Sequence, residues 1–233
     1  MNKLVFFVSL VLLTACATKS DNVLTSEEKN AGWELLFDGK TLDGWHGFNG
    51  KPAPAWKVEE GQIVCDGSDI DKSDMRPDLT SDKQYENFEL SIEWKISPQS
   101  NSGIIYLAAE GYEAPWMTGP EYQIIDDENF PEKLENWQKT GANYAMNPPL
   151  IAASKPVGEW NHTLIKLKEG KVEHWLNGQK TVDCTMWTAE WQQEKETGKW
   201  KNYPSYGTER KGHICLQDHG SKIYFKNIKI KPF

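Results

Sequence analysis

The chain has 233 residues, with 26 basic and 34 acidic side chains and a formal net charge of −8 at pH 7. This acidic balance argues against a nucleic-acid partner, because nucleic-acid-binding domains present a basic face. Beyond the N-terminal segment, the length suits one all-β domain with a substantial core.

The first 16 residues have the pattern of a lipoprotein signal peptide. Lys3 gives a positive start, and residues 4–13 form an apolar run that is too short to span a bilayer. The run ends in Leu-Thr-Ala-Cys at 13–16, which resembles the lipobox of bacterial lipoproteins. We therefore expect lipidation at Cys16, a membrane anchor through that lipid, and a place in the bacterial cell envelope, periplasmic or outer-membrane associated. The alternative is an ordinary secretory signal with an incidental cysteine.

Residues 17–31 are mostly polar and poor in aromatic side chains, which predicts a flexible tether before a single domain at 32–233. Three further cysteines, Cys65, Cys184 and Cys215, lie far apart in the sequence. Their odd number allows at most one disulfide, so a disulfide scaffold is excluded, and their spacing disfavours a zinc–thiolate site.

Period-two alternation predicts an all-β fold. In Phe88–Ile96 apolar and polar side chains alternate throughout, as in a half-buried antiparallel strand. Asn177-Gly178 predicts a tight hairpin, and Glu169-Gly170 and Glu60-Gly61 predict similar reversals. Further strands are predicted at Trp33–Phe37, Trp56–Val58, Gln62–Cys65, Ile104–Leu107, Glu121–Ile125, Asn161–Leu167, Val172–Leu176, Lys180–Val182, Gly212–Gln217 and Ile223–Ile230. Many short strands separated by turn residues indicate a sandwich or barrel.

Three segments interrupt this pattern. Thr188–Thr197 predicts a short helix capped by Thr188. Gly111–Pro120 and Asp126–Pro156 are long irregular stretches rich in aromatic side chains, Asn and Pro, which favours ordered walls around a site. The chain contains 11 Trp, of which we expect most in the core and two or three facing a ligand.

The sharpest candidate for chemistry is the acidic strand at 119–127. Glu121 and Gln123 point to one side of a regular strand, and Asp126 points to the other unless a bulge intervenes. The string is similar to the E-x-D-x-x-E strand of sandwich-fold glucanases, with Gln and Asp in place of two of its carboxylates. The alternative is a strand that ends in a solvated acidic turn.

Three other segments carry polar candidates. Asn101 lies at the entrance of a strand, Gln217 and His219 share one face at the end of another, and Lys155 ends the long loop. A neutral imidazole suits acid–base chemistry near neutral pH. Each of these residues also has an ordinary structural interpretation, as a turn, a structural histidine or a solvated lysine.

An ordered series of segments resembles the 3-keto-disaccharide hydrolase family, also described as 3-keto-α-glucoside 1,2-lyase / 3-keto-2-hydroxy-glucal hydratase domains. The resemblance covers about residues 32–233 and implies a concanavalin-like jelly roll of two antiparallel sheets. It is carried by Leu-Phe-Asp-Gly-Lys (36–40), Leu-Asp-Gly-Trp (42–45), Trp-Lys-Val-Glu-Glu-Gly (56–61), Asn-Phe-Glu-Leu-Ser-Ile-Glu-Trp (87–94), Asn-Ser-Gly-Ile (101–104), Pro-Glu-Tyr-Gln-Ile-Ile-Asp (120–126), Lys-Pro-Val-Gly-Glu-Trp-Asn (155–161), His-Trp-Leu-Asn-Gly (174–178), Leu-Gln-Asp-His-Gly (216–220) and Phe-Lys-Asn-Ile-Lys-Ile (225–230).

The resemblance implies a carbohydrate substrate, a 3-keto-glycoside that is cleaved by proton abstraction at C2 and elimination of the C1 substituent; rehydration would give net hydrolysis. It carries over Asn101, Glu121, Gln123, Asp126, Lys155, Gln217 and His219. We expect Glu121 or Asp126 as the base and His219 as the acid, with Asn101, Gln123, Lys155 and Gln217 binding the substrate.

Three alternatives remain open. A divalent cation held by Asp126 and His219 could polarise the C3 carbonyl, while no other cofactor is indicated. The domain could instead be a non-catalytic, lectin-like glycan-binding module. It could also be an ordinary sandwich-fold glycosidase, which would cleave unoxidised sugars.

Overall fold

A computed structural model describes residues 20–68 and 76–233; the predicted signal peptide with Cys16 lies outside the described residues. The strands are β1 Glu34–Leu35, β2 Trp45–Gly47, β3 Trp56–Glu59, β4 Gln62–Asp66, β5 Leu79–Tyr85, β6 Phe88–Ile96, β7 Asn101–Ala108, β8 Glu121–Ile125, β9 Asn161–Lys168, β10 Lys171–Leu176, β11 Gln179–Thr185, β12 Gly212–Leu216 and β13 Lys222–Pro232. The helices are α1 Ser26–Asn30 and α2 Ala189–Thr197, with 3-10 turns at Phe48–Gly50, Pro115–Met117, Asn136–Gln138 and Lys199–Asn202. None of the helices in these ranges is long and apolar enough to cross a bilayer.

The strands form two antiparallel sheets. The larger sheet has the order β11-β10-β9-β6-β13-β4-β3, with β1 paired to β13, and the smaller sheet has the order β2-β5-β12-β7-β8. We call them the first and second sheets. The predicted fold class, an all-β jelly-roll sandwich of two antiparallel sheets, is confirmed.

Alternation places one face of each sheet in a common core. In β6, Leu90, Ile92 and Trp94 are at most 1% exposed. In β8 of the second sheet, Tyr122 and Ile124 belong to the same core cluster. Because side chains alternate along a strand, Glu121 and Gln123 must lie on the opposite face of the second sheet. That opposite face is the one that carries polar chemistry.

The turn residues adopt the backbone conformations that the sequence predicts. Asn177 and Gly178 have φ values of 50° and 81°. Glu169-Gly170 and Glu60-Gly61 also have positive φ at both positions. Two successive residues with positive φ match the twist of a two-residue hairpin, so all three predicted reversals are confirmed. Helix α2, with the Thr188 side chain accepting from the Trp191 N–H, confirms the predicted helix.

Two strands were not predicted, β2 and β5. The residues of β5 are buried at the first three positions, exposed at the next three and buried at the last. This pattern lacks period-two alternation because the pairing with β12 shifts register between His213 and Cys215. The omission matters for the site, since β5 lies in the interior of the second sheet.

The predicted flexible tether is wrong for residues 21–30, which pack on β13. The Asn22 N–H donates to Asn227 Oδ1 at 2.6 Å, and Lys229 Nζ lies 2.8 Å from Glu28 Oε1. Lys229 is 4% exposed, so its charge needs this partner. The folded domain therefore includes α1, and the earlier part of the tether, 17–19, lies outside the described residues. Cys65, Cys184 and Cys215 are free thiols.

Candidate functional site

The site lies on the outer face of the second sheet, where four adjacent strands contribute side chains in cross-strand rows. One row runs through Thr80, Cys215, Ile105 and Glu121, which are paired in register. The next row includes Gly103 opposite Gln123. Gln217 extends that row, because its N–H donates to the Gly103 carbonyl at 2.9 Å.

Asp78 completes the second row on the far side of Gln217. The N–H of Asp218 donates to Asp78 Oδ1 at 2.9 Å, which fixes this carboxylate beside the end of β12. The antiparallel register therefore places Asp78, Gln217 and Gln123 side by side. These three residues lie far apart in the sequence.

Glu121 lies at the bottom of a cavity of about 280 Å³, which we call the Glu121 cavity. Its lining residues are Asn101, Trp116, Glu121, Gln123, Tyr144, Lys199, Trp200, Tyr203, Gln217 and His219. The Glu121 carboxyl bends over the neighbouring strand, where a Cβ at Gly103 would lie 2.5 Å from Glu121 Oε1. A glycine is therefore required at this position for the observed placement of the carboxyl.

Burial controls the charge of Glu121. Residue 121 is 5% exposed, and this desolvation, together with the negative charge of Asp78, raises the pKa of Glu121 to about 8. The Lys199 ammonium and the Gln217 amide oppose the rise only in part. Burial also raises the pKa of Asp78 to about 7. At neutral pH, Glu121 is consequently a protonated acid that can donate a hydrogen bond.

Two amide oxygens in the Glu121 cavity have unused hydrogen-bonding capacity. Gln123 is 2% exposed and Gln217 is 8% exposed. Among the residues the structure describes, neither Gln123 Oε1 nor Gln217 Oε1 has a hydrogen-bond partner. A buried, unpaired amide oxygen is costly, so these groups indicate a polar ligand such as a sugar with several hydroxyl groups.

An aromatic wall faces these polar groups. Trp116 contacts Tyr203 with ring centroids 5.2 Å apart, and Trp200 contacts Tyr203 at 5.9 Å. The fourth ring is Tyr144, whose hydroxyl accepts from Lys199 Nζ at 2.8 Å. Trp116 and Tyr144 come from the two long irregular stretches, so the prediction that these stretches form walls of a site is confirmed. Aromatic faces opposite hydrogen-bonding groups suit the apolar and polar sides of a pyranose.

His219 stands at the mouth of the Glu121 cavity and is exposed to solvent. Desolvation by the surrounding atoms lowers its pKa, and the nearby positive charge of Arg76 acts in the same direction. The imidazole is therefore neutral near pH 7 and able to accept a proton. Gln217 and His219 line the same cavity, as their predicted common face requires.

The structure separates Asp126 and Lys155 from this site. They line another cavity, with Trp94 and Val157, that shares no lining residue with the Glu121 cavity. The pairing of β7 with β8 is regular from Ile105↔Glu121 to Asn101↔Ile125, so the bulge that would bring Asp126 to the face of Glu121 is absent from this ladder. The hypothesis that a bulge brings Asp126 to the face of Glu121 is therefore wrong.

Asp126 instead organises the turn after β8. Its carboxylate accepts from the N–H groups of Gln99 at 2.8 Å, Asn129 at 3.0 Å and Glu128 at 3.2 Å. Burial alone would raise its pKa, but these donors outweigh that effect and hold the pKa below its usual value. Lys155 donates from Nζ to the Trp160 carbonyl at 2.9 Å.

The alternative of a cation shared by Asp126 and His219 finds no support in the geometry, because the two side chains line different cavities. Within residues 20–68 and 76–233, no group of three or more His, Cys, Asp or Glu side chains is arranged to hold a metal ion.

Several residues of the site were not identified from the sequence, chiefly Asp78, Lys199 and Arg76. Asp78 directly precedes the unpredicted strand β5. Lys199 follows α2 and reaches the site only through the packing of the 3-10 turn at Lys199–Asn202. A Gly-Lys-Trp string after a predicted helix carries no recognisable signal for such a role.

Comparison with known proteins gives the family of the chain. The sequence pattern of the 3-keto-α-glucoside-1,2-lyase-like domain matches residues 32–231. A protein of Bacteroides thetaiotaomicron named 3-keto-disaccharide hydrolase is 33% identical over 226 residues, covering 86% of this chain and 78% of the relative. A solved structure of a proposed glycosyl hydrolase from Parabacteroides distasonis is 48% identical, with a TM-score of 0.87, and covers 92% of this chain and 100% of its own. A second structure from that organism is 28% identical, with a TM-score of 0.66 over 86% of this chain and 99% of its own.

Proposed function

The chain belongs to the 3-keto-α-glucoside-1,2-lyase-like family, and from that premise we propose that it cleaves 3-keto-glycosides, with the oxidised ring held in the Glu121 cavity. The observation that carries the proposal is a protonated, buried carboxyl group opposite an aromatic wall, with a neutral imidazole at the mouth. This is the combination that an enolate-forming reaction requires.

The first step is removal of the proton on C2. A ketone at C3 makes this hydrogen acidic because the electron pair left behind is delocalised onto the C3 oxygen. His219 is the base in our proposal, since its lowered pKa keeps the imidazole unprotonated near neutral pH. This reverses the expectation from sequence, in which Glu121 or Asp126 was the base and His219 the acid.

Glu121 then stabilises the developing negative charge on the C3 oxygen. A carboxylic acid that remains protonated at neutral pH can donate a strong hydrogen bond to an enolate, and its own raised pKa matches that role. Asn101, Gln123 and Gln217 contribute further polar contacts to the ring. The ammonium of Lys199, which lines the same cavity, adds positive charge.

The electron pair of the enolate forms the C1–C2 double bond as the C1–oxygen bond breaks. The leaving oxygen takes the proton from the His219 imidazolium, which returns the base to its starting state. Addition of water across the double bond, with hydroxyl at C1 and hydrogen at C2, releases the 3-keto sugar. The net reaction is hydrolysis.

The experiment is incubation of the purified domain with a 3-keto-disaccharide and with its unoxidised parent, with and without a chelator. We expect turnover of the oxidised substrate alone, unaffected by chelation, and loss of turnover in Glu121→Ala, which removes the hydrogen-bond donor. Cleavage of the parent would indicate an ordinary glycosidase. Binding of either sugar without any product would indicate a lectin-like module. Full activity of Glu121→Ala would remove this residue from the mechanism.

We also propose that the chain is a lipoprotein of the bacterial cell envelope, anchored through a lipid on Cys16. The support is the sequence pattern of residues 1–16 alone. Metabolic labelling with a fatty acid should mark the wild-type chain and the Cys184→Ser control, but not Cys16→Ser. Label that persists in Cys16→Ser, or an unlabelled wild type, would contradict the anchor.

A further inference from the structure

A second cavity adjoins the Glu121 cavity, and we propose that it binds the leaving sugar of a disaccharide substrate through Arg76 and Lys51. We call it the Arg76 cavity; its lining residues are Phe48, Lys51, Arg76, Pro77, Asp78, Glu113, Ala114, Pro115, Trp116, Gln217, Asp218 and His219. The assignment of this sugar as the leaving group rests on the proposed function, whereas the presence of a sugar site does not.

The two cavities adjoin each other. Trp116, Gln217 and His219 line both of them, and each encloses about 280 Å³. His219, the proposed base, therefore stands where the two spaces meet. A disaccharide that spans this junction would place one ring on each side, with its glycosidic bond beside the imidazole.

The chemistry of the Arg76 cavity differs from that of its neighbour. The Glu121 cavity has four aromatic rings and one cation in its lining, whereas the Arg76 cavity has two rings and the cations Lys51 and Arg76, together with three acidic side chains. A sugar hydroxyl is both a donor and an acceptor, so it can satisfy cations and carboxylates at once. An aromatic aglycone would leave these charged groups without partners. The lining therefore selects a polyhydroxylated group.

An ion pair with a buried carboxylate holds the Arg76 side chain in place. Its Nη1 lies 3.9 Å from Oδ1 of Asp218, whose side chain is fully buried. The Gly220 N–H donates to the same oxygen at 2.8 Å. A Cβ at Gly220 would clash with Arg76 Nη1, and a Cβ at Gly67 would lie 2.6 Å from Asp218 Oδ1. Two glycines thus leave the space that the ion pair occupies.

Three buried atoms of this cavity have unused hydrogen-bonding capacity. Arg76 Nε, Gln217 Oε1 and Asp218 Oδ2 find no hydrogen-bond partner in the described parts of the chain. Gln217 is 8% exposed and belongs to both cavities. One unpaired donor and two unpaired acceptors are what neighbouring hydroxyl groups of a sugar would complete.

The test compares two substrates that share the oxidised ring, a 3-keto-disaccharide and a nitrophenyl 3-keto-glucoside. We expect Lys51→Gln to lower kcat/KM for the disaccharide by about tenfold or more, while the aryl substrate changes by less than about threefold. Arg76→Gln also removes a positive charge near His219 and therefore affects both substrates. Its loss for the disaccharide should exceed its loss for the aryl substrate by about tenfold or more. Arg210→Gln is the matched control, because Arg210 stacks on Trp187, which lines neither cavity. Lys51 is exposed, so its variant keeps the test valid if Arg76→Gln unfolds.

Equal losses for both substrates, or no loss in either variant, would overturn the assignment. If the wild-type protein turns over neither substrate, the proposed function fails, and binding of free D-glucose measured by NMR saturation transfer decides the subsite alone. Glucose should bind to the wild type and Glu121→Gln but not to Arg76→Gln. Absence of binding to the wild type, or binding that Arg76→Gln leaves unchanged, would refute the sugar site.

Discussion

The Glu121 carboxyl lies directly over the Cα of Gly103 on the adjacent strand, so close that a Cβ at residue 103 would be 2.9 Å from Glu121 Cδ. The backbone of Gly103 does not lie in the left-handed region. An alanine is therefore compatible with the strand itself, and the obstacle to it is the carboxyl group alone.

Gly103→Ala should consequently act through Glu121. We expect kcat to fall by roughly 10- to 100-fold, because the displaced carboxyl no longer reaches the C3 oxygen. The double variant Gly103→Ala/Glu121→Ala should be no less active than Glu121→Ala alone, and kinetics of the four proteins measure this coupling. Additive losses would show that Gly103 matters for a reason unrelated to Glu121.

Glu121→Gln should stabilise the protein at alkaline pH. The folded-state pKa of about 8 exceeds the unfolded value of 4.5, so the folded state binds the proton more tightly. Stability from this group is fully present below 4.5 and is lost as the pH rises through about 8. We expect Glu121→Gln to exceed the wild type by on the order of 5 kcal/mol above about pH 8, with little difference near pH 4.

Thermal or urea unfolding across this pH range measures the difference. Glu132→Gln, which removes an exposed carboxylate, is the control and should show the wild-type pH dependence. A stability gap between Glu121→Gln and the wild type that stays constant with pH would mean that Glu121 is ionised in the folded state.

Asp126→Asn separates the sequence-based hypothesis from the structural one. We expect a loss of about 1 to 2 kcal/mol in the free energy of unfolding, because the carboxylate accepts from the N–H groups of Gln99, Glu128 and Asn129. The kcat should stay within about threefold of the wild type under conditions where the variant is folded. A large loss of kcat without a loss of stability would restore Asp126 to the mechanism.

The dependence of kcat/KM on pH should be bell-shaped. Activity requires His219 to be neutral and Glu121 to be protonated. The rising limb should therefore lie below 6.5, the ordinary imidazole pKa, and the falling limb near 8. In Glu121→Gln, the residual activity should lack the falling limb. Persistence of that limb would assign it to another group.

Sequence patterns predict the parts of the site that depend on one strand, but not the parts that depend on how distant strands pair. The alternation in β8 correctly placed Glu121 and Gln123 on one face, and the end of β12 correctly paired Gln217 with His219. Asp126 would share the face of Glu121 only with a bulge between them, and the ladder to β7 is regular. Asp78 is not predicted as a site residue because the following strand, β5, lacks alternation. The register shift between β5 and β12 becomes visible only when the two strands are paired in the structure.

The charge states could not be predicted from residue types. A glutamate on a half-buried strand is expected to be ionised, and only the loops that cover the second sheet bury Glu121 enough to keep it protonated. The packing of Asp21, Asn22 and Glu28 on β13 was also missed, because a polar segment without hydrophobic periodicity looks like a linker.

The most direct test of the account is the fate of the C2 hydrogen during turnover in D2O. Elimination followed by hydration should place one solvent deuterium at C2 of the released 3-keto sugar, detected by mass spectrometry and NMR against substrate incubated with Glu121→Ala. A 3-keto sugar product that carries no deuterium at C2 would mean that the C1–oxygen bond breaks without an enolate, and would contradict the proposed roles of His219 and Glu121.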